Sequence, residues 1–177
     1  MILHRRGETL TRPYHGTVEM LKKQNLQQAL GHFAQSISLV TGFEVAASLY
    51  EGVGLNNKKS LFCDYEVKNI PFRMYLEVTT NSRYDLDVFI IDINLPGVIR
   101  GRGIGSSIVC RLLGILTSLG VGRVTLNTAN ARAENFWEKF HFKKVPGKKL
   151  MFLNLKDRDH LSRCMTLMVK SMKQLTA

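Results

Sequence analysis

The sequence predicts an α/β (α+β) fold: a mixed, mostly antiparallel central sheet with one parallel pair, plus an extra helix at the C-terminus. Three observations carry this expectation. Between Glu44 and Thr79, three candidate strands follow one another across short turns, which makes antiparallel neighbours. Val88–Leu95 (VFIIDINL) is almost wholly apolar and rich in branched residues, as suits a strand covered on both faces. From Asp87 to Phe142 the chain then runs strand, glycine-rich turn, helix, strand, helix, and a strand–helix–strand crossover of this length sets its two strands parallel.

Taken in order, residues 1–16 are mixed and basic, with room for a short first strand near their end. Thr17 can cap a helix over Val18–Leu39, where Val18, Leu21, Leu26, Leu30, Phe33 and Ile37 recur at roughly helical spacing. Thr41-Gly42 stops it, and Gly31-His32 is a point where it can break in two. Glu44–Glu51 reads as a strand, and the stretch from Gly52 to Lys59 as a loop. Leu61–Val67 and Phe72–Thr79 read as strands around an Asn69-Ile70-Pro71 turn. Asn81-Ser82-Arg83 turns the chain into Val88–Leu95. The Ile104–Leu119 helix is apolar nearly all round and belongs deep against the sheet. Arg123–Thr128 is the next strand and Ala131–Phe140 the next helix. Short strands follow near Phe142–Val145 and Lys149–Leu155.

The tail, Asp157–Leu175, carries Leu161, Met165, Met168, Met172 and Leu175 at helical intervals among bases, with Asp157 or Asp159 as its cap. The methionine stripe predicts a docking face against the domain or against a second copy in a homodimer. A membrane-surface or RNA-facing helix is the competing reading. The chain thus divides into one domain over residues 1–156 and a C-terminal amphipathic helix over residues 157–177.

Length and composition bound the function. A chain of 177 residues can bury a real core, and 45% hydrophobic with 22% charged residues reads as globular and soluble. No run of about eighteen apolar residues is present, so no membrane span is expected, and the first residues hold no leader-like apolar run. Cytoplasm is the default compartment. Cys63, Cys110 and Cys164 are odd in number and lack metal spacing, which argues against a disulfide framework or a zinc site. Net charge is +11 and is placed unevenly: residues 100–177 hold fifteen bases and four acids. Such a balance suits either a second polyanion such as RNA or a solvated basic face.

The turn Arg100-Gly101-Arg102-Gly103-Ile104-Gly105 leads into the apolar helix. Glycines let a ligand approach the backbone, first-turn amides point outward, and the helix dipole favours negative charge. No Gly-Lys-Ser/Thr closes the turn, so it is not a P-loop. The spacing of Gly101, Gly103 and Gly105 does not match a dinucleotide fingerprint either, and the next strand ends in Asn127-Thr128 rather than an acid. On residues alone, an anion site and a plain tight turn both stand.

The second half of the stretch adds a resemblance. Arg100-x-x-Gly103-x-Gly105 is similar to the Arg/Gln-x-x-Gly-x-Gly/Ala signature of the GNAT superfamily of N-acetyltransferases. One strand later, Asn130-x-x-Ala133-x-x-Phe136-Trp137-Glu138-Lys139-x-His141-Phe142 resembles that family's Asn-x-x-Ala-x-x-Phe-Tyr-Glu-Lys-x-Gly-Phe segment. The likeness spans about residues 88–145.

The resemblance implies helices on both faces of the sheet and a splay between the Val88–Leu95 and Arg123–Thr128 strands, with the pantetheine arm of acetyl-CoA in the gap. Backbone amides from Arg100 through Gly101, Arg102, Gly103, Ile104 and Gly105 to Ser106 would hold the pyrophosphate, with Arg100 and Arg102 adding charge. A side chain at Gly103 or Gly105 would then block cofactor approach. A backbone amide near Leu95 would polarise the thioester carbonyl, although Leu95-Pro96-Gly97-Val98-Ile99 departs from the usual spacing. Asn130 would bond the pantetheine arm or brace its loop, with Asn135 a second candidate. Trp137 stands where many members carry a tyrosine whose hydroxyl protonates the leaving thiolate, and an indole cannot do this. His141 replaces a glycine and reads as a helix-end residue. Asp92 and Glu77 are the candidates for the general base, each also readable as a solvated or lysine-paired carboxylate.

Three functions therefore compete: an acetyl-CoA-dependent N-acetyltransferase, a non-catalytic acyl-CoA-binding regulator, and an RNA-binding protein without a coenzyme. Within the first, the acceptor is a small amine, a protein amine or an aminoacyl-tRNA, and the basic C-terminal half tilts towards a macromolecular or polyanionic one.

Overall fold

The chain folds around a sheet of seven described strands, in the order β1-β2-β3-β4-β5-β7-β6. This architecture is that of a computed structural model, which describes residues 14–54, 57–80, 86–157 and 159–175, with side chains described from residue 24 to residue 169 within them. The strands are β1 (Ala46–Val53), β2 (Lys59–Val67), β3 (Ile70–Thr80), β4 (Leu86–Asn94), β5 (Val121–Asn127), β6 (Lys143–Lys144) and β7 (Leu150–Asn154). The helices are α1 (Tyr14–Thr41), α2 (Ile104–Ser118), α3 (Ala131–Glu138) and α4 (Asp159–Leu175). Only β4 and β5 pair in parallel, across the α2 crossover, as the sequence predicts.

Strand alternation assigns the core. On one face of the sheet, Leu61, Cys63, Tyr65, Met74, Leu76, Val78, Val88, Ile90, Val124, Leu126, Met151 and Leu153 are all buried. The register puts Phe62, Tyr75, Phe89, Thr125 and Phe152 on the other face, where polar and half-exposed residues mix with them. Helix α1 packs on the first face, and α2 packs against both α1 and α4. Tyr65 donates its hydroxyl to Leu30 O of α1 at 2.9 Å, and Phe33 meets its ring edge-on at 5.4 Å. The mixed, mostly antiparallel sheet with one parallel pair and four described helices is the expected architecture.

Leu112, Leu113 and Leu116 of α2 are fully buried. Each is worth about 1.5–3 kcal/mol relative to exposure. α4 docks on α2 through buried His160 and Cys164, with Leu167 and Met168 packed against the core. His160 bridges the carbonyl of Asp157 (Nδ1, 2.9 Å) and Thr117 Oγ1 (Nε2, 3.1 Å), fixing the start of α4 at the end of α2. The methionine stripe is therefore split. Met168 docks while Met165 remains 70% exposed, because the docking face is set by His160, Cys164 and Leu167 instead. Met172 and Leu175 have side chains outside the described set. Cys63, Cys110 and Cys164 are all buried free thiols.

Other expectations shift for local reasons. α1 runs unbroken past Gly31-His32, since Leu30, Phe33, Ala34 and Ile37 keep one face against the core. The β2–β3 turn is Lys68-Asn69, with Asn69 at φ 63°, and Pro71 lies inside β3. Proline is tolerated there because the register shifts between Val67↔Ile70 and Glu66↔Arg73, so no ladder N–H is needed. The short strand expected within residues 1–16 lies largely outside the described residues, and α1 already begins at Tyr14.

Candidate functional site

The site arises where β4 leaves β5. Their pairing runs from Leu86↔Val121 to Ile90↔Leu126 and stops there, while β4 continues to Asn94 on the β3 side. Opposite β3, Leu76 faces Ile90 and Tyr75 faces Asp92, which leaves Ile91 as an extra residue on β4. Such a bulge bends its strand and sharpens the twist. The result is a cleft of 910 Å³ between the diverging strands, with Ile90, Ile93, Leu126, Phe136 and Trp137 among its apolar lining.

Beyond β4, Pro96 to Arg100 coils into a 3-10 turn (Gly97–Ile99), closed by Ile99 N–H to Pro96 O and Arg100 N–H to Gly97 O, both 3.1 Å. This turn is the extra spacing noted ahead of Arg100. Gly101 (φ 80°) and Gly103 (φ 75°) then adopt the left-handed region, where any side chain is strained. Gly103 is the N-cap of α2 and has no side chain to accept a first-turn amide. The first intrahelical bond is Ser107 N–H to Gly103 O at 3.0 Å. By helix geometry the amides of Ile104, Gly105 and Ser106 have no intrahelical acceptor. Gly101, Gly103, Gly105 and Ser106 all line the cleft. An anion at this end meets open amides and the positive end of a four-turn helix.

Several expected site residues differ in role. Arg100 lines the cleft and is exposed, but its guanidinium is engaged: its Nε–H donates to Leu95 O at 2.6 Å and its Nη2–H to Asn94 Oδ1 at 3.2 Å. Arg102 is exposed and is not among the lining residues, and the Ile104 side chain is buried in the core, which leaves only its backbone for a ligand. At Gly105 an added Cβ would lie 2.7 Å from Leu95 Cδ1 and 3.8 Å from the Phe136 ring. What makes a side chain unwelcome there is thus the packing of Leu95 itself.

Leu95 sits one residue past the end of β4, beyond the last pair on either side, so its N–H has no strand partner. Asn130 is the N-cap of α3, accepting Ala133 N–H on Oδ1 at 2.9 Å, and it also lines the cleft. Asn135 is an exposed lining residue of the cleft. Trp137 is buried, packed edge-on to Phe136 (5.2 Å) and against Phe142 (5.1 Å), and also lines the cleft. His141 takes φ 66° just past α3 and donates its N–H to Glu138 O, a helix-end role as the sequence implies.

The two base candidates part company. Asp92 is exposed on the cleft wall, opposite Tyr75. Burial and then the 2.8 Å hydrogen bond with Tyr50 push the Tyr75 phenol up to about 12, so it stays protonated near neutrality. Glu77 lies away from the cleft: it pairs with Phe89, is 3% exposed, and accepts Ser60 Oγ–H at 2.8 Å against Gly54. Its other oxygen, Oε2, is buried without a partner. From β3, Glu77 thus faces Ser60 and Gly54 of the β1–β2 hairpin and not the cleft.

The sequence reading missed Arg132 and Lys139, two cations of the α3 region on the cleft rim, and Leu167, by which α4 reaches the cleft. The seven-residue spacing of Arg132 and Lys139, two helical turns, was the available signal. Nothing in the sequence marked Ile91 as a bulge. Among the described residues no helix is long and apolar enough to cross a membrane, and no group of three or more potential ligands could hold a metal ion.

No family model matches the chain, and no curated protein matches it. Solved structures do overlap with it in part. A complex of AtaT with AtaR bound to DNA is 15% identical, with a TM-score of 0.45 over 57% of this chain and 72% of that one. A KacT mutant is 11% identical, with a TM-score of 0.42 over 86% of this chain and 90% of that one. Arabidopsis thaliana Naa50 in complex with a bisubstrate analogue is 17% identical, with a TM-score of 0.40 over 51% of this chain and 69% of that one. All three scores fall below 0.5, so the functional reading stands on the geometry of the cleft.

Proposed function

We propose that this protein is an N-acetyltransferase that moves an acetyl group from acetyl-CoA to a primary amine by direct attack. The observation that carries the reading is the divergence of β4 from β5 directly before the open first turn of α2. The residues fit the coenzyme. An apolar gap lined by Ile90, Ile93, Leu126, Phe136 and Trp137 suits a pantetheine arm, and the amides of Ile104, Gly105 and Ser106 beside exposed Gly101 suit a diphosphate. Arg132 and Lys139 on the rim add positive charge.

When bound, acetyl-CoA supplies an activated thioester. The chain contributes orientation, an amide donor and a base. The Leu95 N–H, free of strand partners, is the donor towards the acyl carbonyl. Asp92, on the same wall, accepts the amine proton. Trp137 walls the gap and provides no acid, so protonation of the thiolate falls to solvent.

A macromolecular or polyanionic acceptor, a protein amine or an aminoacyl-tRNA, is favoured by the fifteen bases against four acids of residues 100–177. Thiol release from acetyl-CoA, with small amines, peptides and aminoacyl-tRNA offered in parallel at two salt concentrations, tests this reading. Turnover on tRNA that collapses as salt rises supports a polyanionic acceptor; turnover on small amines alone removes it. A second reading, a non-catalytic acyl-CoA-binding regulator, is kept by Trp137. Tight binding of acetyl-CoA with no thiol released on any acceptor would select it.

A further inference from the structure

Arg100 has the charge and position of a phosphate ligand, yet its guanidinium is used otherwise. Nε–H is held by Leu95 O at 2.6 Å and Nη2–H by Asn94 Oδ1 at 3.2 Å. Both acceptors flank one point in the chain, the Asn94–Leu95 peptide and the carbonyl that follows it. Residue 96 is proline, which has no N–H to anchor that next peptide. On the other side, the Leu95 side chain is wedged against Gly105. Leu95 is therefore fastened in three places by groups outside the sheet ladder: through its carbonyl, through its neighbour's amide side chain, and through its own Cδ1 methyl. Its N–H is left without a strand partner. Without Arg100, that peptide would be joined to the sheet only at Asn94, with a 3-10 turn behind it.

We propose that Arg100 is a positioning residue for the acyl carbonyl: its two-pronged bond to Leu95 O and Asn94 Oδ1 aims the Leu95 N–H, and it does not serve as a ligand of the coenzyme phosphates. The proposal rests on the acetyl-CoA reading above. It deepens that reading by separating two tasks within one glycine-rich turn. The open amides at the start of α2 hold the diphosphate, and the arginine four residues before them holds the carbonyl donor. A guanidinium is needed because the two acceptors belong to different groups, and a forked planar donor can engage both at once. A lysine ammonium has three donors but no rigid planar fork to fix both acceptors in one geometry.

The test compares coenzyme A with acetyl-CoA, which share every phosphate and differ at the acyl group. Calorimetric titration of both is run on the unaltered chain and on Arg100→Ala and Arg100→Gln. The infrared band of acetyl-CoA carrying a 13C carbonyl label is recorded in each. For the unaltered protein, the bound carbonyl band moves to lower frequency than in solution. In Arg100→Ala, coenzyme A affinity stays within about threefold, while the preference for acetyl-CoA over coenzyme A is lost and the band returns towards its solution position. Arg100→Gln, with a single donor nitrogen in place of the fork, recovers part of the shift.

Equal weakening of both ligands by roughly tenfold or more, with the band unmoved, makes Arg100 a phosphate ligand and overturns the proposal. Loss of the band shift in a variant whose unfolding midpoint also collapses is set against Arg100→Gln. If that variant folds normally yet shows no recovery, the proposal fails as well. An unaltered protein that binds neither ligand overturns the coenzyme reading itself, a result plainly different from a failure confined to the variants.

Discussion

Leu95 Cδ1 occupies the space in which a side chain on Gly105 would begin, 2.7 Å from the position of its Cβ. The last residue of the β4 exit and the first turn of α2 are thereby packed into one unit. An apparent requirement for glycine at the start of α2 is in part a requirement for leucine to pack closely. Gly103 differs: its φ of 75° strains any side chain on conformational grounds alone.

Substitutions at the two glycines should accordingly separate. Gly103→Ala pays for a left-handed side chain, a loss of about 1 kcal/mol in stability. Gly105→Ala displaces the flexible end of Leu95 and costs less stability, roughly 0.5 kcal/mol, while disturbing the carbonyl donor. Denaturant unfolding checks the first comparison, and titration with coenzyme A and acetyl-CoA the second. A Gly105→Ala protein with unchanged binding of both ligands would show that Leu95 yields without consequence.

Asn130 caps α3 through Ala133 N–H at 2.9 Å. Asn130→Ala should lose about 1 kcal/mol of stability, and Asn130→Asp or Asn130→Ser should keep most of it. Were Asn130 instead a ligand of the pantetheine arm, serine would restore stability but leave coenzyme A affinity low. Unfolding curves and calorimetry on the same three variants decide between these outcomes.

His141 holds φ 66° after α3, a conformation that glycine adopts freely. His141→Gly is expected to stabilise the fold by about 1 kcal/mol, since the backbone already has the glycine geometry and the imidazole is exposed. A destabilised His141→Gly protein would reveal a contact of the ring that outweighs the relief of strain.

Asp92 and Glu77 make opposite predictions. Asp92→Asn should reduce turnover by roughly a hundredfold with little change in stability, as removal of a general base does. Glu77→Gln should leave turnover within about threefold, because Glu77 faces Ser60 and Gly54 instead of the cleft. Steady-state rates on whichever amine releases thiol, together with the acid limb of the pH profile, compare the two. A lost acid limb in Glu77→Gln would return the base to β3.

Much of the architecture was legible because local chemistry and tertiary need agree. The apolar run of β4, the crossover through α2 and the helical period of the tail each report burial that a one-dimensional pattern encodes. The glycine turn was legible as a tight turn leading into a helix for the same reason, since a left-handed glycine before a helix is a local property. Asp92 and Glu77 look alike in sequence, each a carboxylate in an apolar strand. They parted only when the β3–β4 register set one on the cleft and the other behind Ser60.

What the sequence by itself determined is the set of elements, their order and the parallel crossover, all of which follow from hydrophobic period and chain length. What only the tertiary structure decided is where the sheet opens and what each polar group near that opening faces. The bulge at Ile91, the docking of Arg100 on Leu95 O, and the sharing of α4 between core and cleft through Leu167 depend on strand register and cross-element packing. Those contacts join residues by geometry in three dimensions, and no periodicity along the chain records them.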